Sequence, residues 1–178
     1  MASLLATGAL ADDAASVDKL TQQLASKDLP ARREAAYQLS HLGAAAKPAL
    51  PALLKALDDD DKQIWSYSME AIAALGPAAQ DATPVLIDRL DGRKSKGRRE
   101  RDLRQGMMRT AYALSRIGAT AVPPLIQALG EGDLSLRLGA TRALGGMGPI
   151  AHTAIPALIK NLGDAQDPLR DETARPFP

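Results

Sequence analysis

The chain has 178 residues, enough for one domain with a continuous core. Lys and Arg total 22 against 21 Asp and Glu, and the net charge of +1 excludes a globally basic nucleic-acid binder and a strongly acidic tail protein. Cysteine is absent, so disulfides, thiolate metal sites and cysteine nucleophiles are excluded, and no apolar run approaches the roughly 18 residues of a membrane span. The five aromatic residues are Tyr37, Trp65, Tyr67, Tyr112 and Phe177, so the core must be packed from Leu, Ile and Ala, which suits helix on helix.

In chain order, residues 1–14 form either a signal remnant or a disordered N-terminus. The run MASLLATGALA ends in Ala9-Leu10-Ala11, like the close of a secretory signal, which points to export into the periplasm; a misassigned start and a frayed capping helix are the other readings. Residues 15–175 read as a repeat array. A short helix comes first, over Asp18 to Leu24. Four repeats follow, each with the same three marks. An Asp stands fifteen residues before a Gly in three of them: Asp28 before Gly43, Asp61 before Gly76, Asp133 before Gly148; in the remaining repeat Asp102 stands one position early before Gly118. The Gly closes Leu39-x-x-Leu42-Gly43, Ile72-x-x-Leu75-Gly76, Leu114-x-x-Ile117-Gly118 and Leu144-x-x-Met147-Gly148. A Pro-led segment comes next: Pro51 to Leu57, Pro84 to Leu90, Pro123 to Leu129 and Pro156 to Leu162, with spacings of 33, 39 and 33 residues.

Each mark has a mechanical cause. Asp caps free amides at a helix start, Gly supplies a left-handed residue at its end, and Pro is tolerated in the first turn of the next helix. The spacing therefore predicts a longer helix A, a Gly turn and a two-turn helix B in every repeat. Small residues in mid-helix A (Ala35, Ala36, Ser68, Thr110, Ala111, Ala140, Thr141) let neighbouring helices approach closely. A repeat of this kind cannot bury its own apolar face, so repeats must stack. Asp167 to Ala174 begins one more helix A, before Pro176-Phe177-Pro178.

The segments ALPALLKAL, ATPVLIDRL and AIPALIKNL, each preceded by an LG or MG turn, resemble HEAT repeats of the short bacterial type, as found in bilin lyase-like proteins. The resemblance implies an all-α, right-handed alpha-alpha superhelix of the HEAT/armadillo type, with four helix pairs plus partial terminal repeats. The period of 33 departs from the roughly 40–47 of longer HEAT units, while the TPLHxA signature of ankyrin and the Trp and Tyr positions of tetratricopeptide repeats are absent. An Arg early in helix A, common in this HEAT type, stands as Arg32 and Arg137, and is replaced by Trp65 and Met107 in the middle repeats.

No catalytic constellation is legible, and no cofactor is implied. His41 and His152 read as two exposed histidines; neither is followed by Glu, so the iron-binding pairs of HEAT-fold hydroxylases have no counterpart. HEAT-like DNA glycosylases need an acid beside aromatics, and Asp60 and Asp61 near Trp65 and Tyr67 are the nearest match; a solvated loop plus an N-cap explains the same residues. Nine extra residues separate the second and third repeats. There, 93–104 carries Arg93, Lys94, Lys96, Arg98, Arg99, Arg101 and Arg104 against two acids, and reads either as a solvated loop or as an anion contact with an acidic protein, ahead of nucleic acid. The helices B line the concave side in HEAT solenoids. Their outward positions read Lys55, Asp88, Gln127, Lys160 and then Ala56, Arg89, Ala128, Asn161, which nominates Lys55, Asp88, Arg89, Gln127, Lys160 and Asn161 for a protein partner. The resulting expectation is a non-enzymatic scaffold for protein–protein interaction, a monomer or part of a larger chain. A bilin lyase-like enzyme subunit, or a nucleic-acid-binding HEAT-like protein using 93–104, stands as the alternative.

Overall fold

A computed structural model describes residues 16–90, 100–131 and 133–163, with the side chains of 100–103 and Leu162 excepted. Every regular element among them is helical. In chain order these are α1 (16–24), α2 (Leu29–His41), α3 (Leu50–Ala56), α4 (Lys62–Leu75), α5 (Thr83–Leu90), α6 (Glu100–Ile117), α7 (Val122–Glu131), α8 (Leu134–Met147) and α9 (Ile155–Gly163). They fall into two compact units, one up to Ala79 and one from Gln80 onward.

The expected caps are in place in three repeats. The carboxylate of Asp28 accepts from the Ala31 amide, Asp61 from Gln63 and Ile64, and Asp133 from Leu136. These bonds satisfy donors that a helix start leaves orphaned. Asp102 does not stand at a helix start: α6 begins two residues earlier, at Glu100, so Asp102 lies within the helix. The same extension overturns part of the expected loop, because Arg101 and Arg104 sit on α6. Residues 91–99 lie outside the described residues, as do 1–15 and 164–178, with the proposed signal remnant and the extra helix A they contain.

All four turn glycines have positive φ, yet Gly76, Gly118 and Gly148 are not the left-handed helical residues the spacing predicts. Gly76 (φ 55°, ψ −131°) and Gly148 (φ 57°, ψ −133°) occupy a region that side chains rarely enter. The reason lies just beyond: the chain passes directly into 3₁₀ turns over Gly43–Ala49, Gly76–Ala82 and Gly148–Ala154, and briefly at Ala119–Ala121. A 3₁₀ helix repeats every three residues. Ala46 and Ala49, Ala79 and Ala82, and Ala151 and Ala154 follow that period, and all are buried. Each helix B then starts one residue before its proline, at Leu50, Thr83, Val122 and Ile155.

In the first unit α2 lies against α4, with α3 beside it. Arg33, near the start of α2, reaches the N-cap of α4, and Tyr37 further along meets Tyr67, so the two helices run in the same direction. Ala35, Ala36 and Ser68 are fully buried. In the second unit α8 packs against α6, α7 and α5. Its small residues allow a close crossing: Gly139 is buried with the Leu90 side chain of α5 directly over its Cα. Leu86, Leu90, Leu114, Leu125, Leu129 and Leu144 fill this core, each worth about 1.5–3 kcal/mol in removal from water. Thr110 and Thr141 are buried, but their hydroxyls donate to the carbonyls of Gly106 and Arg137 on their own helices, which leaves the packed faces apolar.

Candidate functional site

The helices B carry two neighbouring outward rows in sequence, and burial separates them. Lys55, Asp88, Gln127 and Lys160, four residues after each helix-B proline, are all exposed. The next position turns inward. Ala56 and Ala128 are buried, Arg89 is half-buried, and Asn161 is buried at 8%. The Asn161 side chain is committed within the fold: its Oδ1 accepts from Arg137 Nε (2.9 Å) and Nη2 (2.5 Å), and its Nδ2 donates to Ala157 O (2.9 Å). Asn161 is therefore committed within the fold, whereas Arg89 remains half-exposed. One residue along a helix rotates the side chain by about 100°, enough to move it from solvent to a neighbour. Within the second unit, α5 packs on α7 and α7 on α9, so Asp88, Gln127 and Lys160 occupy successive neighbouring helices.

Two members of the acidic run Asp58 to Asp61, Asp59 and Asp61, serve the fold. Asp59 accepts from Arg32 Nε at 3.0 Å and from the Asp61 amide at 2.9 Å. Arg32 also donates to the carbonyls of Ser26 and Lys27, tying the α1–α2 turn to the α3–α4 turn. Asp61 takes Arg33 in a two-pronged pair, Nε to Oδ1 at 3.2 Å and Nη2 to Oδ2 at 2.6 Å. That hydrogen-bonded guanidinium, helped by the Ile64 and Gln63 amides, holds the Asp61 carboxyl below its ordinary value against a smaller opposing effect of burial, and the same bond raises Arg33. An acid held this firmly ionised, already paired and capping a helix, is a poor catalytic base for the glycosylase-like reading.

The histidines are engaged locally. His41 Nδ1 lies 2.9 Å from Tyr37 O and His152 Nδ1 lies 3.2 Å from Pro149 O, contacts that place the proton on Nδ1. Among the described residues no group of three or more His, Asp or Glu side chains is placed to hold a metal ion, and no helix is long and apolar enough to cross a membrane. Of the basic segment, Arg93, Lys94, Lys96, Arg98 and Arg99 lie outside the described residues; Arg104 is exposed on α6.

Two features escaped the sequence. On α2 and α4, Tyr37 and Tyr67 meet edge to face with ring centroids 5.3 Å apart, and His41 packs on Tyr37 at 4.5 Å. The signal was present: these tyrosines stand 30 residues apart, one helical i, i+3 step short of the repeat period of 33. The second feature is the face of α9. Ile155 is 52% exposed, whereas Leu50, Thr83 and Val122 at the same repeat position are buried, because among the described residues no helix lies beyond α9.

Paired helices joined by glycine-bounded 3₁₀ turns, repeated with one register of caps and core positions, define a helical repeat solenoid. Comparison with known families agrees. The HEAT repeats model matches residues 101–175, and the PBS lyase HEAT-like repeat model matches 31–59. The chain carries HEAT repeats over these residues. No curated protein matches it. Among solved structures, an engineered protein is similar at 21% identity, covering 89% of this chain and 76% of that one, with a TM-score of 0.49. A designed armadillo repeat protein in complex with the peptide (KR)4 is similar at 18% identity, covering 86% and 77%, with a TM-score of 0.50.

Proposed function

We propose that this protein is a non-enzymatic scaffold that holds a protein partner against its helices B, through Lys55 in the first unit and Asp88, Gln127 and Lys160 in the second. One observation carries the reading: the same repeat position is polar and exposed on every helix B, while the position after it is buried or half-buried. Within the second unit, where α5, α7 and α9 are successive neighbours, Asp88, Gln127 and Lys160 suit an extended partner that meets one side chain per repeat. The peptide seen with the similar designed armadillo repeat protein supports this use of the fold. The test is affinity capture with the wild type and with a fourfold variant, Lys55→Ala, Asp88→Ala, Gln127→Ala and Lys160→Ala. A partner enriched by the wild type and reduced at least about ten-fold by the variant, at unchanged melting temperature, supports the row. Equal capture by both rejects it.

A second reading has its own support in the PBS lyase HEAT-like match over 31–59: a subunit of an enzyme that attaches bilins. Covalent attachment of a bilin to an acceptor protein, dependent on this chain, would establish it in place of the scaffold.

A further inference from the structure

The first unit spends two of the five aromatic residues of the chain where the core does not need them. Tyr37 is 45% exposed on α2, touches the half-buried Tyr67 of α4 edge to face and carries His41 at 4.5 Å on another side, an arrangement that still leaves part of the ring open to solvent. Each ring has a carboxylate one helical step away: Glu34 stands three residues before Tyr37, and Glu70 three residues after Tyr67. Both carboxylates are exposed, and among the described residues neither is in an ion pair; Glu34 accepts only from the Gln38 amide at 2.5 Å. Arg33, the cation at the rim of the pair, is already held by Asp61 with two hydrogen bonds.

We propose that Tyr37, Tyr67, Glu34 and Glu70 form a docking site for an arginine side chain of a protein partner. The proposal rests on the reading of this chain as a protein-binding module, but it uses a different face from the helix-B row. The chemistry fits a guanidinium better than an ammonium. A planar cation stacks on a tyrosine face and still presents edge donors to a carboxylate, whereas an ammonium is a compact point charge. An anionic partner is disfavoured, since the two unpaired charges at the site are both negative. Nothing in the core requires this arrangement: the buried faces of α2 and α4 are closed by Ala35, Ala36, Leu39, Ile64, Ser68 and Ile72.

The test is an NMR titration with a capped glycine–arginine repeat peptide, read at the ring resonances of Tyr37 and Tyr67. Saturable shifts are expected with this peptide, weaker ones with its lysine counterpart, and none with citrulline in place of arginine. Tyr67→Leu and the double variant Glu34→Gln, Glu70→Gln are each expected to weaken binding about two- to five-fold, the range for an exposed cation–π or charge contact, while Tyr37→Phe retains it. Should Tyr67→Leu fail to fold, the double variant, which alters only exposed carboxylates, decides. The fourfold helix-B variant is expected to bind the peptide as the wild type does, so the two surfaces succeed or fail separately. Absent ring shifts, equal binding of the citrulline peptide, or unchanged affinity in the double variant overturns the site. Ring shifts that appear on raising the protein concentration alone assign the pair to a second copy of this chain, and overturn the choice of a foreign partner.

Discussion

Gly139 offers a sharp check on how the second unit is packed. A Cβ built on it stands 2.8 Å from Leu90 Cδ2 and 2.9 Å from Leu90 Cβ. Carbon atoms in contact rest at about 3.5–4.0 Å, so Gly139→Ala intrudes by about 0.6 Å or more. A rotamer change removes Cδ2 from the clash, but Cβ is fixed to the backbone, and the end of α5 must shift from α8. Overpacking of this kind costs about 1–3 kcal/mol, against which alanine returns about 0.5–1 kcal/mol of helix propensity. The net expectation is a loss of about 1–2 kcal/mol, a fall of roughly 2–8 °C in melting temperature for a chain of this size. Gly130, inside α7, provides the control. A Cβ there meets nothing within 4 Å, so Gly130→Ala is expected to be neutral or to stabilise by up to about 1 kcal/mol. Leu90→Ala does not rescue Gly139→Ala, because the Cβ contact survives it. Urea and thermal melts of the three variants measure these signs. If Gly139→Ala proves as harmless as Gly130→Ala, α5 and α8 do not cross as described.

Two further expectations concern charge. Asn caps helices about as well as Asp, so Asp61→Asn removes the Arg33 pair while keeping the N-cap. Because the folded Asp61 carboxyl is held below its ordinary value, its stabilisation is present above the unfolded value of about 4 and is lost as pH falls through the lowered folded value. The melting temperatures of wild type and Asp61→Asn should therefore differ at pH 7 and converge as the pH falls below the lowered folded value; a gap that persists in strong acid refutes the pairing. Replacing Arg93, Lys94, Lys96, Arg98 and Arg99 by Ser keeps the chain length and leaves α6 intact. Its melting temperature should match that of the wild type, whereas binding to an acidic protein, if this segment provides it, should vanish in the variant and weaken with salt in the wild type. A large drop in stability would mean that the segment packs as structure.

What the sequence determined by itself is what short-range geometry encodes. Asp28, Asp61 and Asp133 announce helix starts because a cap acts on amides two or three residues away, and the leucines of each helix B announce a core because one helical face repeats every three to four residues. The 3₁₀ turns were also written locally, in the Gly and Ala positions of GPAAQDA and GPIAHTA, but under a three-residue period that a search for α-helical spacing passes over. The tertiary structure decided what depends on the approach of distant segments. Lys160 and Asn161 are adjacent polar residues on one short helix, and only the presence of Arg137 makes the second structural and leaves the first to solvent. Gly139 looks like a weak point in α8 until Leu90 arrives over it. Asp59 and Asp61 look like surplus charge until Arg32 and Arg33 reach them from the preceding repeat. In each case the deciding partner lies more than twenty residues away, beyond the reach of any local pattern, and is brought there only by the packing of one helix against the next.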